Sequence, residues 1–202
     1  MGASTLAASK KNARRLKAWL GFLDESGFAQ RPPIRATWAP RGQTPGLVEP
    51  FNWKTLSGIA AVLTKPDGRC SRWLLAVHQG SIRSAHVVRF LNGLRRHRRR
   101  PLILLWDRLP AHRSRLVARA LTAQRDWLRV EWLPCYAPEL NPVEPLWNHL
   151  DTTTLANTPV ENLRCLRQRI RAGVERVRQS PSLTRGFLKY TGLFLALILT
   201  LF

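Results

Sequence analysis

Leu102 to Trp106 is an unbroken apolar run, LILLW, set between Pro101 and Asp107. A strand with one wet face alternates apolar and polar side chains, whereas a continuous run needs apolar cover on both sides. Such a segment fits the middle of a sheet with helices packed on its two faces. The chain has material for this architecture: 45% of its 202 residues are apolar, including eight Trp and seven Phe. That excludes a wholly disordered chain, and the length suits one full domain rather than two large ones.

The remaining pattern supplies the other layers. LKAWLGFL (Leu16 to Leu23) reads as a strand that ends at Asp24 and Glu25. Arg31 to Gly46 is rich in Pro and Gly and reads as turns around a short extended piece. Leu56 to Thr64 and Arg72 to His78 form a hairpin across a Pro-Asp-Gly turn. A helix over 83–96 carries Val87, Phe90, Leu91 and Leu94 at helical spacing, and a second runs from Ser114 to about Arg125. Leu128 to Leu133 is a fifth strand, Asn141 to Leu150 a third helix, and Val160 to Arg178 a fourth with Arg on its outer face. Three strands followed by alternating helix and strand predict an α/β fold: a mixed five-stranded sheet with helices on both faces and a C-terminal helical extension. Residues 1–17 are small, polar and basic and read as a flexible arm.

Neither end reads as a membrane or export signal. The N-terminus lacks an apolar core segment. The apolar tail, 193–202, would span roughly 15 Å as a helix, about half a bilayer core. Three widely spaced Cys (Cys70, Cys135, Cys165) without metal-ligand spacing predict reduced thiols in a cytosolic protein.

Charge narrows the partner. There are 33 Lys plus Arg against 12 Asp plus Glu, a net +21. So large an excess repels itself in a compact fold, and a polyanion is its usual complement. Arg dominates, with 27 of the 33 cations, and its planar fork suits phosphate oxygens. The densest run, RRHRRR, makes Arg95, Arg96, Arg98, Arg99 and Arg100 candidate backbone contacts; the alternative is a solvated helix end.

With acids so scarce, their places are informative. Asp24 and Asp107 close apolar strands, and Glu144 follows Asn141 and Pro142 at the start of a helix. Gathered at one sheet edge, three carboxylates would repel one another unless a hard divalent cation such as Mg²⁺ or Mn²⁺ lay between them. Two such ions activate water and stabilise the leaving oxygen of a phosphodiester. Two alternatives stay open. Glu25 competes with Asp24, because adjacent strand residues point to opposite faces and one of them serves. Asn141-x-x-Glu144 also matches a capping box, in which Glu144 bonds back to the helix cap.

FLDESGFAQRPPIRATWAPRGQTP, LLWDRLPAHRS and LPCYAPELNPVEPLWNHL resemble the three signature blocks of DDE transposases, specifically bacterial insertion-sequence members of the mariner-like superfamily. The resemblance extends from about residue 17 to 193, and the Leu-Asn-Pro-Val-Glu-x-x-Trp pattern is its most specific part. It implies a ribonuclease-H-like catalytic domain over 18–155, with 156–192 as its C-terminal helical part. It implies two Mg²⁺ or Mn²⁺ ions held by Asp24, Asp107 and Glu144, with 36 residues separating the last two. The implied reaction is hydrolysis at a transposon end, then attack of the freed 3′-hydroxyl on target DNA, by a homodimer in the bacterial cytoplasm at the nucleoid.

His112 matches the family's histidine, and with Arg113 it is a candidate for DNA contact or for the metal-site edge. An ordinary loop histidine is the alternative. Trp147 reads as core packing. Three departures accompany the match. The helix-turn-helix region that usually precedes the first block would come from an upstream reading frame. Asp151 replaces a basic residue on the face of Glu144. The tail beyond Leu193 looks like read-through. A decayed fragment that only binds nucleic acid is the alternative function.

Overall fold

The computed structural model describes residues 2–48, 54–97, 100–134 and 137–192. A single mixed sheet organises them, with strand order β3-β2-β1-β4-β5. Strands β1 (Trp19–Ala29), β2 (Thr55–Thr64) and β3 (Ser71–Gln79) form an antiparallel meander. Strands β4 (Leu102–Trp106) and β5 (Leu128–Trp132) add in parallel on the other side of β1. All five β4 residues are buried, as a doubly covered strand requires.

Two cores flank the sheet. One face carries α2 (Ser84–His97) and α3 (Arg115–Thr122), whose Val87, Phe90, Leu91, Leu94 and Val117 pack on Leu23, Ile59 and Leu104. The other carries α4 (Glu144–His149), α5 (Leu163–Arg178) and α6 (Pro181–Tyr190) over Leu20, Phe22, Ala60 and Val62. The Trp73 indole donates to Thr184 Oγ1 at 3.0 Å and ties α6 to β3. No helix among the described residues is long and apolar enough to cross a membrane.

Several elements depart from the expected pattern. Residues Gly2–Arg15 are not an arm but helix α1, and Leu6 and Ala13 enter the core. Its inner stripe is Leu6, Ser9 and Ala13, and beside a single Leu the small Ser9 and Ala13 carry little hydropathy signal; the Ser9 hydroxyl bonds Glu131 on β5. Strand β1 does not stop at the two acids. It continues to Ala29 along β2, while its pairing with β4 runs from Trp19↔Leu102 to Phe22↔Leu105. The third predicted helix, 141–150, is shorter than expected: α4 spans Glu144–His149, after a 3-10 turn at Pro138–Leu140 and before a π-turn at Leu150–Thr154. Gly173 on α5 lets that π-turn approach, since a Cβ there would overlap Leu150 and lie 2.8 Å from Thr154 Oγ1.

The segment after β1 is extended and exposed, with Trp38 at 99% exposure. Asn157, at φ 51°, fastens its root: its amide bonds both the N–H and the carbonyl of Arg35 at 2.8 Å, and its own N–H donates to the Pro33 carbonyl. The apolar tail, Cys135, Arg98 and Arg99 lie outside the described residues.

Candidate active site

The site forms where β4 ends and β1 runs on. Asp24 lies two residues past the last β1–β4 pair, Phe22↔Leu105, and Asp107 one residue past the end of β4. Asp24 shares its face of β1 with Leu20 and Phe22, towards α4, and is 9% exposed. Asn141 aims α4 at it. The Asn141 amide donates to the Leu23 carbonyl at 3.2 Å, and its side-chain oxygen accepts from Val143 N–H at 3.1 Å. Asn141 is therefore spent on docking the turn to β1, and Glu144 opens the helix beside Asp24. Three residues on, the Trp147 indole donates to Asp24 Oδ2 at 2.9 Å.

The electrostatics register the convergence. Burial pushes Asp24 up to about 8, helped by repulsion from Glu144 and then Glu25, against the pull of the Trp147 bond. Burial also raises Glu144, and the Asp107 charge raises it further. Glu144 thus links the other two acids, its charge acting on Asp24 and the Asp107 charge acting on it, in a chain of net charge +21. A donor set made of carboxylate oxygens, held together despite its own repulsion, fits a hard divalent cation.

On the opposite face of β1, Glu25 meets a different partner. His112, in the 3-10 turn Pro110–Arg113, sits between two acids: Nε2 lies 3.1 Å from Glu25 Oε1 and Nδ1 2.5 Å from Asp107 Oδ1. The ligand-type atoms of Glu25, Asp107 and His112 all fall within 4.8 Å of one another. The ring stacks on Trp106, with centroids 4.0 Å apart, and the residue is 2% exposed. Burial alone would lower the imidazole; its hydrogen bonds to Asp107 and Glu25, and their charges, outweigh that and lift it to about 9.

The family model of the DDE superfamily endonuclease matches residues 20–167 of this sequence, a span that includes every acid of the site. The chain belongs to that family. It is similar to the insertion element IS630 uncharacterized 39 kDa protein of Shigella sonnei, 29% identical over 170 residues that make up 83% of this chain and 48% of that one. The chain therefore spans about half the length of this curated relative. Its fold is similar to the Mos1 transposase in a paired-end complex with the left transposon end, at TM-score 0.61 and 18% identity over 95% of this chain and 58% of that chain. The catalytic domain of Mos1 mariner transposase gives TM-score 0.56 at 16% identity, covering 95% of this chain and 87% of that one. The mixed sheet with helices on both faces is thus the ribonuclease-H-like fold that the sequence led us to expect.

In this DDE endonuclease the candidate DNA contacts fall in unlike places. His112 is buried, and both ring nitrogens face carboxylates at the edge of the acid site. Arg113 is exposed beside it, on the side of Asp107. Arg95 and Arg96 lie at the C-terminal end of α2, and Arg100 just before β4 begins. This is the opposite end of the sheet from Asp107, one strand length or roughly 17 Å away. Arg95 also reaches Asp126 at 3.7 Å, both side chains exposed.

Asp151 falls in the π-turn that follows α4. Burial raises its carboxyl, and the Arg35 charge opposes the rise. In place of a capping box, the Asn141 N–H donates to the Pro138 carbonyl and its side-chain oxygen accepts from Val143 N–H. Sequence reading missed the role of Trp147: hydropathy sees a core residue, which it is at 5% exposure, and not its N–H.

Proposed function

We propose that this DDE endonuclease is the catalytic domain of a transposase that cleaves DNA strands and joins the freed 3′-hydroxyl to target DNA. The observation that supports the reading is that Glu144 on α4 acts electrostatically on Asp24 of β1 and is itself acted on by Asp107 at the end of β4. These three would hold two Mg²⁺ or Mn²⁺ ions. Such ions, when bound, supply a water acidic enough to attack a phosphodiester and a counter-charge for the leaving oxygen. The chain's own part is positional. Trp147 fixes one oxygen of Asp24, the Asn141 bond to Leu23 sets the approach of Glu144, and exposed Arg113 offers a cation for the DNA backbone near the acids. Arg95, Arg96 and Arg100 would meet the duplex farther along, where contact positions it without reading its sequence.

Solved Mos1 transposase structures of similar fold are paired-end complexes, one with the left transposon end and others with Mn or Mg, which supports DNA and divalent metal as the partners. We place the working form as a homodimer at the bacterial nucleoid. The exposed apolar side chains of Ile34, Trp38 and Val48 on one projecting segment support self-association.

The deciding experiment is nicking of supercoiled DNA by the purified chain with and without Mn²⁺, for wild type and Asp107→Asn. Metal-dependent nicking lost in Asp107→Asn, with salt-sensitive binding retained, is the expected result. Binding with no metal-dependent nicking in the wild type would instead favour a decayed nucleic-acid-binding fragment.

A further inference from the structure

We infer that Glu25 and His112 form a positioning pair that holds the Asp107 carboxylate in the direction a divalent cation requires. The inference rests on the reading of Asp107 as a metal ligand. It goes beyond that reading by giving a task to an acid that the metal set does not use.

The chain of contacts is continuous. Glu25 projects from the face of β1 opposite Asp24, and both its carboxylate oxygens lie 3.1 Å from His112 Nε2. The other ring nitrogen reaches Asp107 Oδ1 at 2.5 Å and the Asp107 carbonyl at 3.4 Å. Stacking on Trp106, the last residue of β4, fixes the ring plane. Asp107 itself stands one residue past the strand, where the ladder no longer constrains it, and its side chain is 36% exposed. The Leu109 N–H reaches Oδ1 at a long 3.4 Å; without a firmer hold a carboxylate there samples several rotamers, and a cation must order it on binding. A hydrogen-bonded outer partner removes that cost, which is why such partners commonly change metal affinity 10–100-fold. His112 cannot turn to meet a cation without leaving Glu25, so the pair acts on the ligand rather than as a ligand.

Two variants separate the ends of the ring. In His112→Asn the amide nitrogen sits near the place of Nδ1 and still reaches Asp107. In His112→Gln the amide nitrogen sits near the place of Nε2 and serves Glu25 alone. Mn²⁺ affinity is measured by isothermal titration calorimetry on the full chain at one pH, with thermal melts to establish folding. We expect His112→Asn to bind within about threefold of wild type and His112→Gln to bind about tenfold more weakly or worse. A purely structural histidine would leave the two variants alike, and equal Mn²⁺ affinities would overturn the inference. Should His112→Gln fail to fold, Glu25→Ala and Glu25→Gln ask the same question from the other end: Gln keeps an acceptor for Nε2 and should bind as wild type, whereas Ala frees the ring and should weaken binding about tenfold. Equal affinities there also overturn it. Asp107→Asn is the control for the underlying reading. If that variant binds Mn²⁺ as tightly as wild type, it is the metal site that fails.

Discussion

The indole N–H of Trp147 reaches Asp24 Oδ2 at 2.9 Å and so joins the helix that opens with Glu144 to the middle of β1. One side chain thereby does two tasks: its ring packs edge-on against Phe28, and its nitrogen satisfies a buried carboxylate. The three-residue step from Glu144 to Trp147 places both on the same side of α4, facing the strand that holds Asp24.

Trp147→Phe keeps most of the apolar contact and removes the donor. An oxygen of Asp24 is then left buried without its partner, at a cost of about 1–3 kcal/mol. We expect a melting temperature lower by roughly 2–10 °C, together with a loss of Mn²⁺-dependent nicking of about tenfold or more. A variant that nicks DNA at the wild-type rate would remove the indole from the site.

The titrations set a pH trend for the metal-free protein. Asp24, lifted to about 8, keeps a proton that the unfolded chain loses near 4. His112, lifted to about 9, keeps one that the unfolded chain loses near 6.5. In both windows the native state binds more protons, so stability declines as pH rises, by at most about 1.4 kcal/mol per pH unit for each group. Melting in EDTA should therefore occur at a lower temperature at pH 9 than at pH 6. Mn²⁺, competing with the proton on Asp24, should raise the transition more at pH 8 than at pH 6. Thermal scans across that range with a constant EDTA level test this, and a transition that climbs with pH would contradict it.

Gly173 has no room for a methyl group. A Cβ there would overlap Leu150 and crowd Thr154 Oγ1 at 2.8 Å. Gly173→Ala should destabilise the protein by about 1–3 kcal/mol, the usual range for an overpacked core, despite the better helix propensity of Ala. Urea titration gives the value. A stabilised variant would mean that the π-turn can move away at no cost.

The basic end of α2 makes a separable prediction. Replacing Arg95, Arg96 and Arg100 with Gln should weaken binding to all DNA sequences alike and flatten its salt dependence by about 0.9 log units per lost phosphate contact. Because these residues sit at the far end of the sheet from Asp107, the nicking rate of saturated complexes should not change. Binding titrations at several salt concentrations, followed by single-turnover nicking, would reveal any effect on chemistry.

Much of this architecture could be read without coordinates, because apolar periodicity carries it. The β4 run, the β2–β3 hairpin and the stripe of Val87, Phe90, Leu91 and Leu94 each announce their element. Helix α1 stayed hidden since Ser9 and Ala13 fill a groove by being small. The far half of β1 stayed hidden because Glu25, Ser26 and Gly27 look like a turn, although they pair with Ile59, Gly58 and Ser57. Within the site, scarcity of acids singled out Asp24, Asp107 and Glu144. The link from Glu25 to His112 spans 87 residues and lies across the sheet from Asp24, so no spacing rule would find it.

Asp24 and Glu25 are neighbours in sequence, yet one answers to an indole and the other to an imidazole on opposite sides of the sheet. Sliding β1 by a single position would exchange them. Ordinary alternation offers little protection here, since residues 19–24 are buried on both faces. Gly21 supplies the missing key. Even a Cβ at that point would stand only 3.0–3.1 Å from Leu63, Leu102 and Leu104, so neither Leu20 nor Phe22 could take its seat. The absence of a side chain at one residue thus works like the notch on a cylinder lock, and the chemistry three residues downstream inherits its alignment.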